Sequence, residues 1–303
     1  MGPTASGKTD VAIELCKRFP FDVISVDSAL VYRGMDIGTA KPDAEILRRT
    51  PHRLIDIRDP VDSYSAGEFV RDAQAAMNDI FSQCRVPLLV GGTMMYFRAL
   101  TQGIAQLPPA DANIRATIDA DAAHLGWPAM HARLKKVDSE AANQIDRNDR
   151  QRIQRALEVY LSSGKPLSEW QKETPSTVDD DIQFLKIALQ PASRPVLHER
   201  IKRRLNLMLN NGFLDEVKVL HQQDGLTVDH SSMRSVGYRQ LWQHLDGQTT
   251  LEEAGEKALF ATRQLAKRQI TWLRSETELE SFDPLEAGVI DAISASLIEF
   301  LKA

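Results

Sequence analysis

Gly2-Pro3-Thr4-Ala5-Ser6-Gly7-Lys8-Thr9 matches the phosphate-loop pattern G-x-x-x-x-G-K-[ST] at every fixed position. In such a loop the two glycines let backbone N–H groups turn inward around phosphate oxygens, the lysine supplies a point charge, and the Ser/Thr hydroxyl ligates Mg²⁺. Residues Gly2 to Thr9 are therefore expected to cradle a diphosphate, with Lys8 on its outer phosphates and Thr9 on the metal. The helix expected over residues 10–18 adds the positive end of its dipole. A short match of this kind also arises by chance as a Gly/Ser-rich loop leading into a helix, but the apolar periodicity that follows at once favours the phosphate loop. Only Met1 precedes Gly2, so the strand that normally feeds such a loop is expected to be missing, through a truncated start or an incomplete sheet.

Outward from this loop the first half alternates strands and helices. Asp22-Val23-Ile24-Ser25-Val26 is a short β-branched run ending at Asp27. Ser65 and Glu68 form a capping box before a helix whose Phe69, Ala73, Met77 and Ile80 repeat at helical spacing. Val86 to Val90 reads as a second buried strand, stopped by Gly91-Gly92-Thr93. Open α/β sheets place their ligands at such strand ends. Leu107-Pro108-Pro109-Ala110-Asp111 breaks the alternation, and only helix signals follow to about residue 173, including Gly164 and a Pro166 stop. Residues 174–181 read as a polar linker, and 184–189 as a strand returning to the first domain. The expected fold is α/β: a phosphate-loop NTPase-like parallel sheet flanked by helices, over 1–107 and 181–303, with an all-helical insertion over 108–180. Two chain crossings would suit a hinged lid. Helices are expected near 195–210, 213–222 and 251–274. On the last, Leu259, Thr262, Leu265, Gln269 and Trp272 follow a packing face, while Arg263, Lys267 and Arg274 follow a basic one.

With 303 residues, 43% of them apolar, the chain can bury one large core or two ordinary ones. Cys16 and Cys84 have neither metal-ligand nor C-x-x-C spacing, and no apolar run approaches a membrane span, so a reducing, cytoplasmic setting is expected. The net charge of −5 at first disfavours a polyanionic partner. However, residues 275–303 hold seven acids against Lys302, more than the whole imbalance, so the preceding residues carry a slight positive excess and a local basic surface remains open there.

Taken singly, the candidate residues are ambiguous. Asp27, at a strand tip beside a phosphate loop, either holds Mg²⁺ or acts as a base, or it merely caps the turn at Ser28. Thr93 offers a hydroxyl and backbone N–H groups to a leaving oxygen, or is an ordinary helix N-cap. Arg234 is a cation in a Gly-containing loop. Arg152 and Arg155 lie three apart on a helix face that is in most proteins simply wet.

Together they are specific. The phosphate loop, Asp27 to Pro42 (DSALVYRGMDIGTAKP), Pro51 to Asp56 (PHRLID), Gly91 to Tyr96, Arg152 to Glu158, Arg234 to Gln240 and Arg263 to Arg274 (RQLAKRQITWLR) resemble, in order, the bacterial tRNA dimethylallyltransferases. Met94 stands where that family commonly carries Gly. The resemblance implies transfer of a dimethylallyl group from its diphosphate to N6 of adenosine 37 of tRNA. It assigns the leaving diphosphate to the loop, with Lys8, Arg234 and a Thr9-bound Mg²⁺ neutralising its charge. Asp27 would take the N6 proton and Thr93 would hydrogen-bond the bridging oxygen. It further implies a tRNA face made of Asp27, Ser28, Ala29 and Leu30; Gln151, Arg152, Ile153, Gln154 and Arg155; Arg234, Ser235, Val236, Gly237, Tyr238 and Arg239; and Lys267, Arg268, Gln269, Ile270, Thr271, Trp272, Leu273 and Arg274. The insertion would clasp the anticodon stem-loop of a tRNA bound by a monomer, with no membrane involved. Two rivals are an ATP-dependent kinase of a small metabolite, which leaves the basic helices idle, and a non-catalytic RNA-binding module with a vestigial loop.

Overall fold

The computed structural model describes residues 1–105, 107–173 and 182–302, so the linker expected over 174–181 lies outside the described residues. In chain order the elements are α1 (Lys8–Arg18), β1 (Phe21–Val26), α2 (Ala44–Arg49), β2 (His52–Arg53), α3 (Ala66–Ser82), β3 (Val86–Gly91) and α4 (Met94–Gln102). Then come α5 (Ala112–Leu125), α6 (Trp127–Val137), α7 (Ser139–Gln144), α8 (Arg150–Ser163) and α9 (Leu167–Lys172). The chain continues with β4 (Lys186–Leu189), α10 (Arg194–Asn210), α11 (Phe213–His221), a 3₁₀ turn at Ser232–Arg234, α12 (Tyr238–Leu245), α13 (Leu251–Leu273), β5 (Leu279–Phe282) and α14 (Val289–Phe300).

The fold is α/β with parallel sheets and is mostly helical. β1, buried at every residue but Asp22, lies between β2 and β3 and runs parallel to both. Its register with β3 runs from Phe21 opposite Val86 to Val26 opposite Gly91. That last pairing leaves no room for a side chain, because a Cβ on Gly91 would lie 1.9 Å from the Val26 carbonyl oxygen. Parallel pairs need crossovers, and here α3 supplies the one before β3. α3 starts as the sequence requires: the Ser65 hydroxyl accepts from Glu68 N and the Glu68 carboxylate accepts from Ser65 N.

The expected single sheet is instead two, β2-β1-β3 and β4-β5. Met1 marks the seam. Its ammonium donates to the Ile187 carbonyl at 2.6 Å, and Leu189 N donates to the Met1 carbonyl at 2.9 Å, the flanking pattern of a parallel strand. On the other side the Gly2 carbonyl comes within 3.3 Å of where a Gly92 Cβ would stand. Met1 and Gly2 thus lie between β3 and β4. Val11, Leu15, Phe21, Leu189, Ile293 and Leu297 form a core that includes α14.

Two compact units result, Met1–Leu100 with Asp180–Ala303, and Thr101–Asp179. The second is entirely helical among its described residues. It begins earlier than the expected residue 108 because α4 runs to Gln102 and Leu107 packs on the core of Ile118, Met130, Leu134, Ile153 and Leu157. Among the described residues no helix is long and apolar enough to cross a membrane.

Candidate active site

The phosphate loop turns twice through left-handed backbone, at Ala5 (φ 62°) and Gly7 (φ 91°). An alanine there is strained, as expected where amides must converge on an anion. α1 follows with no side-chain cap, so its first N–H groups point unpaired into the loop. Ser6 is fully buried and its Oγ has no partner, a polar atom that a bound anion or ion would satisfy. Lys8 Nζ donates to the Pro3 carbonyl at 2.7 Å, folding over the loop it belongs to. Burial lowers the Lys8 pKa to about 8; the charge of Asp27 opposes that shift and the charge of Arg204 adds to it.

Two arginines close the cradle, and the sequence reading did not single them out. Arg200 Nε donates to the Ala5 carbonyl at 2.8 Å, and its terminal nitrogen lies 3.6 Å from where a Gly7 Cβ would be. Arg204, one turn further along α10, is half-buried; desolvation lowers its pKa, and it feels Asp27 and Arg200. Their i,i+4 spacing was the available signal. It was masked because Lys202 and Arg203 between them make the helix look wet on all sides.

Asp27 follows the last residue of β1. Its Oδ1 accepts from Ala29 N at 2.8 Å and Leu30 N at 3.3 Å, so it does cap its turn, through one oxygen. Oδ2 is left for another partner. Thr93 meets it from β3: Thr93 N donates to the Val26 carbonyl at 3.2 Å, and Thr93 Oγ1 accepts from Ser28 N at 3.1 Å. The hydroxyl proton points only to a long Ser28 Oγ contact at 3.4 Å. Lys8, Asp27, Thr93, Arg200 and Arg204 therefore gather at the C-terminal ends of β1 and β3.

The expected RNA-facing residues divide. Ser28, Gln151, Arg152, Arg234, Arg239, Lys267, Arg268, Thr271 and Arg274 are exposed, while Ala29, Leu30, Ser235, Val236, Ile270 and Trp272 are half-buried. Ile153, Gly237, Tyr238, Gln269 and Leu273 are buried, so within these segments they offer no exposed side chain to RNA. Helical periodicity turns Ile153, Gln269 and Leu273 inward. Arg155 is also committed, to Glu158 at 2.7 Å and the Pro108 carbonyl at 2.8 Å, and Gln154 donates to Asp119 at 2.7 Å. On α13 the buried stripe is Ala254, Ala258, Ala266, Gln269 and Leu273, so Leu265 and Trp272 lie at its margin, not its centre, and Arg263 is half-buried instead of solvated.

Comparison with known proteins agrees with this geometry. The family model described as IPP transferase matches residues 30–276. The chain is 54% identical over 304 residues to the tRNA dimethylallyltransferase of Paraburkholderia xenovorans, covering 98% of this chain and 96% of that one. It is 53% identical over 302 residues to the enzyme of the same name from Thioalkalivibrio sulfidiphilus, covering 98% and 93%. Among solved structures, the tRNA isopentenylpyrophosphate transferase of Bacillus halodurans is 36% identical with a TM-score of 0.70, covering 99% of this chain and 96% of that one. A eukaryotic dimethylallyltransferase described as acting on tRNA is 25% identical with a TM-score of 0.81, covering 99% and 78%. With a phosphate loop facing a strand-end carboxylate and this agreement along nearly its whole length, the chain belongs to the IPP transferase family of tRNA dimethylallyltransferases.

Proposed function

We propose that this chain transfers a dimethylallyl group from dimethylallyl diphosphate to N6 of adenosine 37 in tRNA, within a phosphate-loop NTPase-like unit whose loop holds the leaving group. The observation that carries the reading is the meeting of an anion cradle and an unspent carboxylate oxygen: Lys8, Arg200 and Arg204 on one side, Asp27 Oδ2 on the other. In the reaction the bond between the allylic carbon and the bridging oxygen breaks, and a bond from N6 to that carbon forms. The N6 proton passes to Asp27, a general-base role worth about 10²- to 10⁴-fold in rate. The electron pair leaves with the diphosphate, where Lys8, Arg200, Arg204 and the loop amides stabilise charge that grows in the transition state. The Thr93 hydroxyl, already accepting from Ser28 N, retains its proton for the bridging oxygen.

Mg²⁺ fits this site. The Thr9 hydroxyl in the first turn of α1 is an oxygen donor beside the loop, and Mg²⁺ usually takes only one or two protein ligands alongside phosphates and water. Among the described residues no cluster of three His, Cys, Asp or Glu side chains exists that would hold a metal without substrate. Bound here it would supply further neutralisation of the diphosphate. The adenine must leave its stack in the anticodon loop, at a cost of a few kcal/mol that the exposed cations Lys267, Arg268, Arg274, Arg234 and Arg239 help offset.

Incubating the protein with labelled dimethylallyl diphosphate and unmodified tRNA is expected to label N6 of adenosine 37. Phosphoryl transfer from labelled ATP to small acceptors, without prenyl transfer, would overturn the reading.

A further inference from the structure

Gln269 sits in the run of α13 otherwise expected to face RNA, yet it is only 8% exposed and both ends of its amide are used. Its Oε1 accepts from Thr4 N, inside the phosphate loop, at 2.8 Å. Its Nε2 donates to the Gly92 carbonyl, at the end of β3, also at 2.8 Å. The fit is tight enough to dictate the neighbour, because a Cβ on Gly92 would lie 2.5 Å from Nε2. One residue further along, Thr93 is bonded to the Val26 carbonyl and to Ser28 N, on both sides of Asp27. A continuous hydrogen-bonded path therefore runs from the phosphate loop through Gln269 and Thr93 to the turn holding Asp27. The helix is seated against the same loop by Ala266, which shares a buried cluster with Ala5, Leu197 and Ile201.

We propose that Gln269 is a positioning residue for the transfer reaction: it fixes the diphosphate cradle relative to Thr93 and Asp27 and makes no contact with RNA. The inference rests on the prenyl-transfer reading above. Its physical basis is that the two reacting ends come from separate loops, Gly2–Thr9 and Asp27–Leu30, which the chain joins only by the long way through α1 and β1. A shift of about 1 Å in such an arrangement costs about 10²-fold in rate. A glutamine suits the task because a single planar amide offers one acceptor and one donor, matching one loop N–H and one loop C=O.

The test uses Gln269→Met, which keeps the length and removes both bonds, and Gln269→Glu, which keeps the acceptor for Thr4 N and loses the donor to Gly92. Three quantities are read in the full-length protein: kcat at saturating tRNA, the Kd for inorganic diphosphate, and the Kd for an anticodon stem-loop RNA. For Gln269→Met, kcat is expected to fall about 10- to 100-fold. Diphosphate binding should weaken several-fold while RNA binding stays within about twofold, which also reports a folded α13. Gln269→Glu should lose kcat in the same direction. An RNA affinity lowered tenfold with unchanged kcat would make Gln269 an RNA contact and overturn the inference. So would unchanged kcat and diphosphate affinity in both variants, and if the methionine variant does not fold the glutamate variant decides. Absence of transfer by the unsubstituted protein would instead defeat the prenyl-transfer reading, and the diphosphate measurement would still judge Gln269 as the anchor of the loop.

Discussion

Asp27 carries two tasks on one carboxylate, and its two oxygens separate them. Oδ1 holds the turn through Ala29 N and Leu30 N, and in the proposed reaction Oδ2 takes the N6 proton. Asp27→Asn keeps an oxygen for the turn and removes basicity, so it isolates the chemistry better than alanine. In single-turnover assays with labelled dimethylallyl diphosphate the rate is expected to fall about 10²- to 10⁴-fold, with tRNA affinity within a few-fold. Retained turnover would remove Asp27 from the role of base. Lys8 makes the converse case: the charge it would bring to the proposed diphosphate site costs stability. Burial lowers its pKa from 10.5 to about 8, so between those values the unfolded chain binds more protons than the folded one and stability rises with pH. Below about pH 8 the folded state carries the whole penalty of a buried ammonium. Lys8→Met is therefore expected to raise the thermal midpoint at pH 7, to lose that advantage near pH 10.5 and above, and to bind diphosphate poorly at every pH. In the unsubstituted protein the KM for dimethylallyl diphosphate should be flat below about pH 8 and rise above it, as the charge that meets the phosphates is lost.

Helices and loops are joined around the site by a few polar groups, of which Glu216 on α11 does most. One of its oxygens accepts from Asp36 N at 2.8 Å and Ile37 N at 2.7 Å, and the other from Gly38 N at 3.1 Å and the Tyr238 hydroxyl at 2.6 Å. Burial, followed by the Glu216 charge, holds the Tyr238 phenol far above its usual pKa, so it remains a donor. The carboxylate thereby fastens the loop after Asp27 to the start of α12, next to Arg234 and Arg239. Glu216→Gln turns an amide donor toward groups that are themselves donors, and should destabilise the protein by about 2–4 kcal/mol in urea unfolding, against about 1 kcal/mol for Tyr238→Phe. Equal effects would mean that the three backbone bonds contribute little. This junction also shows what was legible in the sequence. β1, β3, α3 and α13 were, since buried strands and amphipathic helices leave periodic traces, and the Ser65–Glu68 box leaves a local one. β2, with two residues, and β5, with four, are too short for any period, and α14 was hidden in a tail notable for its acids. Contiguous site motifs were likewise readable, whereas Arg200, Arg204, Glu216 and the inward turn of Gln269 depend on which loop each helix meets. No local pattern encodes that.

For the molecule as a whole, the question is how a chain of net charge −5 holds a polyanion. The answer lies in which cations are free. Residues 275–303 concentrate the acids and form β5 and α14, whose buried faces pack on α1 and β4. Arg155 is not free: with Arg115 it neutralises Glu158, a fully buried carboxylate held below its usual pKa by those arginines and by Asp111 N despite its burial. Lys267, Arg268 and Arg274 are exposed and form no ion pair with another described residue. Each phosphate neutralised in single-stranded RNA adds about 0.7 to the slope of log Kd against log salt. Replacing Lys267 or Arg274 by alanine should thus weaken stem-loop binding and lower that slope by about 0.7 where the side chain meets a phosphate. Arg155→Ala should leave the slope unchanged and lower the unfolding midpoint, because it strips a partner from a buried charge. Titrations of labelled stem-loop RNA at several salt concentrations check all three. A slope that drops for Arg155 and stays fixed for Lys267 and Arg274 would move the RNA face from α13 to α8.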